Sequence, residues 1–94
     1  MSDFELTVSI PADARFAETL AALASQAARQ AGCTGPGVAE FGAAVAQALG
    51  GCLRTRPAGQ DSVAVVLRHL AGEIEAVLTC GTPVRVARPV PIDV

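Results

Sequence analysis

The hydrophobic pattern of this chain changes its period twice, and that change limits the folds open to it. Near the N-terminus apolar and polar residues alternate, and one side of the pattern consists of Phe4, Leu6, Val8 and Ile10. Such alternation is typical of a strand with one buried face. Pro11 ends the pattern because proline has no N–H to continue a ladder. The sequence therefore predicts a first strand that gives way to helical spacing.

Helical spacing continues from Asp13 to about residue 53 in two blocks. In the first block the residues that share one side are Phe16, Leu20, Leu23 and Ala27, and Gly32 is expected to end the helix after Ala31. In the second block the shared side consists of Val38, Phe41, Val45, Ala48, Leu49 and Cys52. Gly37, with Glu40 three residues later, is expected to cap its start. Because glycine costs up to about 1 kcal/mol relative to alanine inside a helix, Gly42, Gly50 and Gly51 are expected to weaken the second helix.

Strict alternation then returns and predicts a hairpin. Its strands carry alternating sets that begin at Val63 and Ile74, joined by a turn over residues 70–73. Residues 84–88 are expected to add a short edge strand, which Pro89 and Pro91 end. The element order β-α-α-β-β, with a further strand, predicts an α+β two-layer sandwich with both helices on one face of a mixed or antiparallel sheet. We expect one domain over residues 1–88 and an extended tail over residues 89–94.

Composition excludes several function classes. The chain has 94 residues, of which 51% are hydrophobic, and a net charge of −2 with seven Arg and no Lys. An acidic chain without a basic run is a poor phosphate-binding surface, so a nucleic-acid partner is not expected. No apolar run is long enough to cross a membrane and the N-terminus lacks the positive charge of a signal peptide, which predicts a cytoplasmic protein. The three cysteines lack zinc or redox spacing and are expected to be small buried hydrophobes.

Three features of the chain carry a family resemblance. These are the order of the elements, the run AVAQALGGCL in the second helix (residues 44–53), and a hairpin that ends in LTCG (residues 78–81). In these features the chain resembles the histidine-kinase-like (GHKL) ATPase domain. The similarity is to the anti-sigma factor serine kinases. The resemblance implies ATP with Mg²⁺, a helix Glu that activates water or a hydroxyl, a helix Asn that holds the metal, and a strand-end Asp that binds adenine. The matching positions here hold Gln47, Gly51 and Thr79, and only Gly81 keeps the family pattern.

These replacements remove the chemistry that the family needs, because glutamine is no base and glycine has no ligand atom. We therefore expect a non-catalytic regulatory module without a cofactor, degenerate and truncated relative to that family. An alternative is an ATP-binding serine/threonine kinase or ATPase in which Gln47 positions water and Thr79 meets adenine. A second alternative is a stand-alone α/β domain unrelated to the family.

The expected partner is a protein. The resemblance implies a sigma factor or a STAS-type antagonist, and the small core favours a homodimer. The expected contact segment is apolar and near the C-terminus, and consists of Val84, Val86, Val90 and Ile92. His69 is expected on the surface at the hairpin end, and Glu73 and Glu75 on one solvated strand face.

Overall fold

The computed structural model describes residues 3–33, 35–55, 57–70, 72–80 and 82–90. Within these ranges the elements, in chain order, are β1 (Phe4–Pro11), a single 3-10 turn (Ala14–Phe16), α1 (Ala17–Ala31), α2 (Pro36–Thr55), β2 (Ser62–Leu70), β3 (Glu73–Cys80) and β4 (Thr82–Pro89). The strands form one antiparallel sheet in the order β1-β2-β3-β4. The predicted α+β fold, with its helices between the first and second strands, is confirmed.

The helix boundaries follow from local backbone chemistry. Gly32 ends α1 as predicted, because its φ of 105° is left-handed and its N–H caps the carbonyls of Ala28 and Arg29. The second helix begins at Pro36, which suits the first helical position because the N–H that proline lacks would have no partner there. Gly37 therefore lies in the first turn of α2, and the expectation that it caps the helix with Glu40 is wrong.

The core lies between the helices and one face of the sheet. In β2 and β3 every second residue is buried, as the alternation predicts, and the set consists of Val63, Val65, Leu67, His69, Ile74, Ala76, Leu78 and Cys80. From α2, Phe41, Val45 and Leu49 are completely buried against this face. The predicted apolar sides of the hairpin and of the second helix therefore meet in one core.

The two helices approach each other closely where Gly42 of α2 faces α1. A Cβ built at Gly42 would lie 2.8 Å from the carbonyl oxygen of Ala21 and would also overlap the Ser25 hydroxyl. Ser25 Oγ donates a hydrogen bond to the carbonyl of Val38, 3.3 Å away, which holds the hydroxyl between the helices. Gly42 is thus a packing residue at the helix–helix contact.

The helix layer is displaced towards the β4 side of the sheet. Helix α1 packs on β2 and β3, and α2 packs on β3 and β4. Strand β1 has less cover: Phe4, Val8 and Ile10 point towards the helix side but are only half-buried, and Leu6 remains 40% exposed. None of the helices in the described ranges has the length and apolar character to cross a membrane.

Candidate functional site

An apolar groove of about 340 Å³ lies between β1 and α1. The residues that line it are Phe4, Leu6, Leu23, Gln26, Ala27 and Gln30, and we call it the β1 groove. The four helical residues recur at spacings of three and four, so they share one side of α1, while Phe4 and Leu6 share one face of β1. The β1 groove is therefore a hydrophobic contact site that also carries the two exposed amide side chains of Gln26 and Gln30.

The groove runs beside a free strand edge. Within the described ranges β1 pairs only with β2, so the backbone groups on its other side have no ladder partner. Glu5 is the only charged residue of β1, and Pro11 stands at its very end. A strand edge of this kind can accept another strand, because little on it opposes pairing. The sequence showed the strand itself but gave no signal that the helices would leave its apolar side uncovered.

The opposite sheet edge has different chemistry. Strand β4 carries Pro83 and Pro89 near its two ends, and Arg85 and Arg88 between them. Proline removes a backbone donor, and charged side chains on an edge disfavour pairing with another chain. The two edges of the sheet therefore differ, and among the described residues β1 is the edge that borders the apolar β1 groove.

The predicted contact segment lies along β4 and just beyond it. Val84 and Val86 point to the helix side and pack against the core while half-buried. Val90 is 8% exposed, and its N–H donates to the carbonyl of Gly72 at 2.8 Å, so this residue belongs to the core. Ile92 lies outside the described residues. Most of the apolar surface that the described valines offer is therefore already used within the chain.

The positions that match the nucleotide site do not converge. Gln47 is exposed on the side of α2 opposite the buried Val45 and Leu49, and Gly51 lies one turn later. Thr79 is exposed between buried neighbours on β3, which places its side chain on the sheet face away from the helices. Gly81 lies outside the described residues. The sheet thus separates the Thr79 side chain from Gln47.

Five charged side chains form a network on that open sheet face. Arg68 lies between Glu5, at 3.7 Å, and Glu75, and Arg85 contacts Glu75 and also Glu73, at 2.7 Å. The strand register produces this arrangement because Glu5, Arg68 and Glu75 stand in one row across three strands. The prediction that both hairpin carboxylates are solvated is wrong for Glu75, whose side chain is only 12% exposed.

The network lowers the pKa of Glu75. The main cause is the hydrogen bond from Arg68, followed by the one from Arg85, and these outweigh the opposing effect of partial burial. Contact with Glu75 raises the pKa of both guanidinium groups in turn. A carboxylate held ionised by two arginines is a poor general base. Within the described ranges no three His, Cys, Asp or Glu side chains are grouped so that they could hold a metal ion.

His69 is buried rather than exposed at the hairpin end. It is 6% exposed, and its ring centroid lies 5.7 Å from that of Phe4. Its Nδ1 atom has no hydrogen-bond partner among the described residues. The predicted surface position is wrong because His69 falls on the same face of β2 as Val65 and Leu67, a parity visible in the sequence. Its cross-strand neighbours, Phe4 and Ile74, offer neither a nucleophile nor a carboxylate to support catalysis.

The three cysteines are buried free thiols, which confirms the prediction from their spacing. Burial, followed by contact with the Cys80 thiol, raises the pKa of Cys52 to about 11, and its Sγ lies 3.8 Å from the carbonyl oxygen of Leu78. Burial also raises the pKa of Cys33. Because the thiolate is the reactive form, these raised values favour a packing role over a chemical one.

No protein-family model matches the sequence, and the search of curated proteins gave no significant match. The resemblance to the histidine-kinase-like ATPases therefore stays a prediction from element order and apolar pattern. The site that the geometry itself offers is the β1 groove with its open strand edge.

Proposed function

We propose that this chain is a non-catalytic regulatory module that binds a protein partner by strand addition at β1. The observation that carries the proposal is the β1 groove beside an unpaired strand edge. An extended segment that joins an open edge gains main-chain hydrogen bonds, and its alternate side chains can enter an adjacent pocket for specificity. Here the pocket is apolar, so the alternate side chains of the incoming strand would be apolar as well.

Burial of Leu6 supplies a driving force for this binding. Its side chain is 40% exposed beside half-buried Phe4 and Leu23, so an incoming strand would remove apolar surface that folding alone leaves in water. The resemblance implies that the partner is a sigma factor or a STAS-type antagonist in the cytoplasm. Those identities are part of the proposal, and the groove geometry requires only an extended, partly apolar segment.

The absence of catalysis in this proposal is supported by the dispersed nucleotide positions. An ATP site needs oxygen ligands for Mg²⁺ and a group for adenine in one cavity. Gln47 and Thr79 lie on different sides of the sheet, and Gly51 offers no ligand atom. We therefore propose that no cofactor is bound and that the groove alone carries the function.

A calorimetric titration of the purified chain with ATP and with ADP, each with Mg²⁺, tests this proposal. We expect no saturable heat at millimolar nucleotide and no change in the melting temperature. Binding tighter than about 100 μM, equivalent to roughly −5.5 kcal/mol, would overturn the non-catalytic proposal in favour of the kinase or ATPase alternative. Addition of EDTA provides the control, because heat that persists without Mg²⁺ would not arise from a metal-bridged phosphate.

A further inference from the structure

We infer that the occupant of the β1 groove is a second copy of this chain, whose β1 pairs antiparallel with the first about a two-fold axis at Thr7. The inference rests on the proposed protein-binding function and names the partner of the same site. It follows from three properties of the described structure: the register that β1 allows with itself, the side chains which that register brings together, and the area of the edge.

The register is limited by the sheet geometry. Residues directly opposite in an antiparallel pair point to the same face, so a two-fold axis between two identical strands must pass through a residue position. An axis at Thr7 pairs the whole stretch from Phe4 to Ile10 with itself and leaves Pro11 outside the ladder. An axis at Leu6 or Val8 would shorten the paired stretch by two residues. Thr7 is therefore the centre that makes the longest ladder.

The same register brings compatible side chains together. On the helix side Leu6 faces Val8 of the second copy and Phe4 faces its Ile10, which extends the apolar row across the junction. On the open face Glu5 lies opposite the Ser9 hydroxyl of the second copy, so the two carboxylates do not face each other. Pairs of this composition stabilise a ladder, whereas directly opposed like charges destabilise it. The edge is thus complementary to itself.

The size of the edge sets the expected strength. The seven paired residues extend about 23 Å, and a sheet with one helix layer is about 20 Å deep, which gives a little under about 500 Å² per copy. This area is close to a tenth of the accessible surface of the chain, 5455 Å², which is the share that a small protein usually buries in an interface. A total of about 1,000 Å² is at the lower limit for a specific complex. We therefore expect a reversible dimer that forms in the micromolar range.

Sedimentation velocity over about 1 to 500 μM, under reducing conditions, measures this dimer. The Thr7→Asp variant places two carboxylates opposite each other at the axis and should weaken association at least tenfold. Thr79→Asp is the matched control, because it makes the same exchange at an exposed position of the interior strand β3. We expect Thr79→Asp to dimerise like the parent. Equal association by Thr7→Asp and the parent, or equal weakening by both variants, would overturn the inference.

Cross-linking tests the register directly. In the proposed dimer the introduced thiols of Thr7→Cys face each other, and oxidised glutathione should join them as an intermolecular disulfide while it is reduced to two glutathione thiols. The thiols of Ser9→Cys would lie about 13 Å apart along the paired strands and should not join. The native cysteines are buried and are present in both variants, so any cross-linking through them contributes equally to the two yields. No cross-link in Thr7→Cys, or an equal yield in Ser9→Cys, would refute the register.

The outcomes separate this inference from the function on which it rests. A chain that is monomeric at every concentration and binds no nucleotide would overturn the self-association, and would leave a different protein as the occupant of the groove. A dimer that Thr7→Asp disrupts and that also binds ATP tightly would overturn the non-catalytic function while it confirms the strand pairing. A dimer that resists Thr7→Asp would place the interface elsewhere and refute the assignment to β1.

Discussion

Replacement of Gly42 by alanine is expected to destabilise this protein, although alanine is the better helix former. An added methyl group would meet the backbone carbonyl of Ala21 at 2.8 Å and would overlap the Ser25 hydroxyl. The carbonyl belongs to α1, so relief of the contact requires the two helices to move apart. Overpacking of this kind costs about 1–3 kcal/mol, against a gain of about 1 kcal/mol in helix propensity. The net loss in the free energy of unfolding is then up to about 2 kcal/mol.

Gly50 offers a matched control in the same helix. A Cβ there would approach only the Nη1 atom of Arg54, at 3.9 Å, which is ordinary contact with a flexible side chain. Gly50→Ala should therefore keep the propensity gain and stabilise the protein by up to about 1 kcal/mol. The two substitutions are chemically identical and lie eight residues apart on α2. Their effects should nevertheless have opposite signs.

Urea denaturation followed by far-ultraviolet circular dichroism measures both changes, with the slope of the transition as a check that the unfolded states are comparable. The double variant Ser25→Ala/Gly42→Ala removes the hydroxyl but leaves the Ala21 carbonyl, so it should recover only part of the loss. If Gly42→Ala stabilised the protein as much as Gly50→Ala does, the close approach of α1 and α2 at Gly42 would be wrong.

Three further variants and one chemical treatment test the core, the ion network and the thiols. In the same urea titration, Phe41→Ala should lower the free energy of unfolding by about 3–5 kcal/mol, because Phe41 is completely buried. Phe16→Ala should lower it clearly less, because Phe16 is only half-buried. Because the folded-state pKa of Glu75 is lowered, its ionised form stabilises the fold above the unfolded pKa of about 4.3, and this contribution disappears as the pH falls through the folded pKa. Glu75→Gln should therefore lose less stability between neutral and acidic pH than the parent, whereas parallel curves would contradict the network. With the pKa of Cys52 raised to about 11, thiol reagents at pH 8 should label it only as fast as the protein unfolds; rapid labelling of the native protein would show that the site opens.

The element order and the buried faces could be predicted because both follow from local periodicity. Alternation in β2 and β3 determines which residues point to the helices, and the spacing in α2 determines its apolar side. The burial of His69 was available from the same parity, since it continues the series of Val63, Val65 and Leu67. Residue type favours the opposite position, because histidine is less often fully buried than valine or leucine.

The ion network could not be predicted from local patterns. Glu5 and Arg68 are distant in sequence and meet only because β1 and β2 pair in one particular register. The same holds for Arg85, which reaches Glu73 and Glu75 across the β3–β4 ladder. The spacing of charges along one strand does not predict which charged residues lie side by side across the sheet, because the register depends on how all the strands pack against the helices.

The close helix contact and the β1 groove can be understood as one feature of the helix layer. Gly42 allows α1 to approach α2, and helices that meet at small residues have their axes about 8 Å apart rather than about 10 Å. A narrow pair of helices that packs on β2, β3 and β4 leaves the inward side of β1 with partial cover, so Leu6 stays exposed. Folding and association therefore both depend on the contact between α1 and α2 at Gly42. A larger residue at this position would move α1 towards β1 and would close the groove that a second strand is proposed to cover. Gly42→Ala should accordingly lose both stability and dimerisation. Gly50→Ala should lose neither.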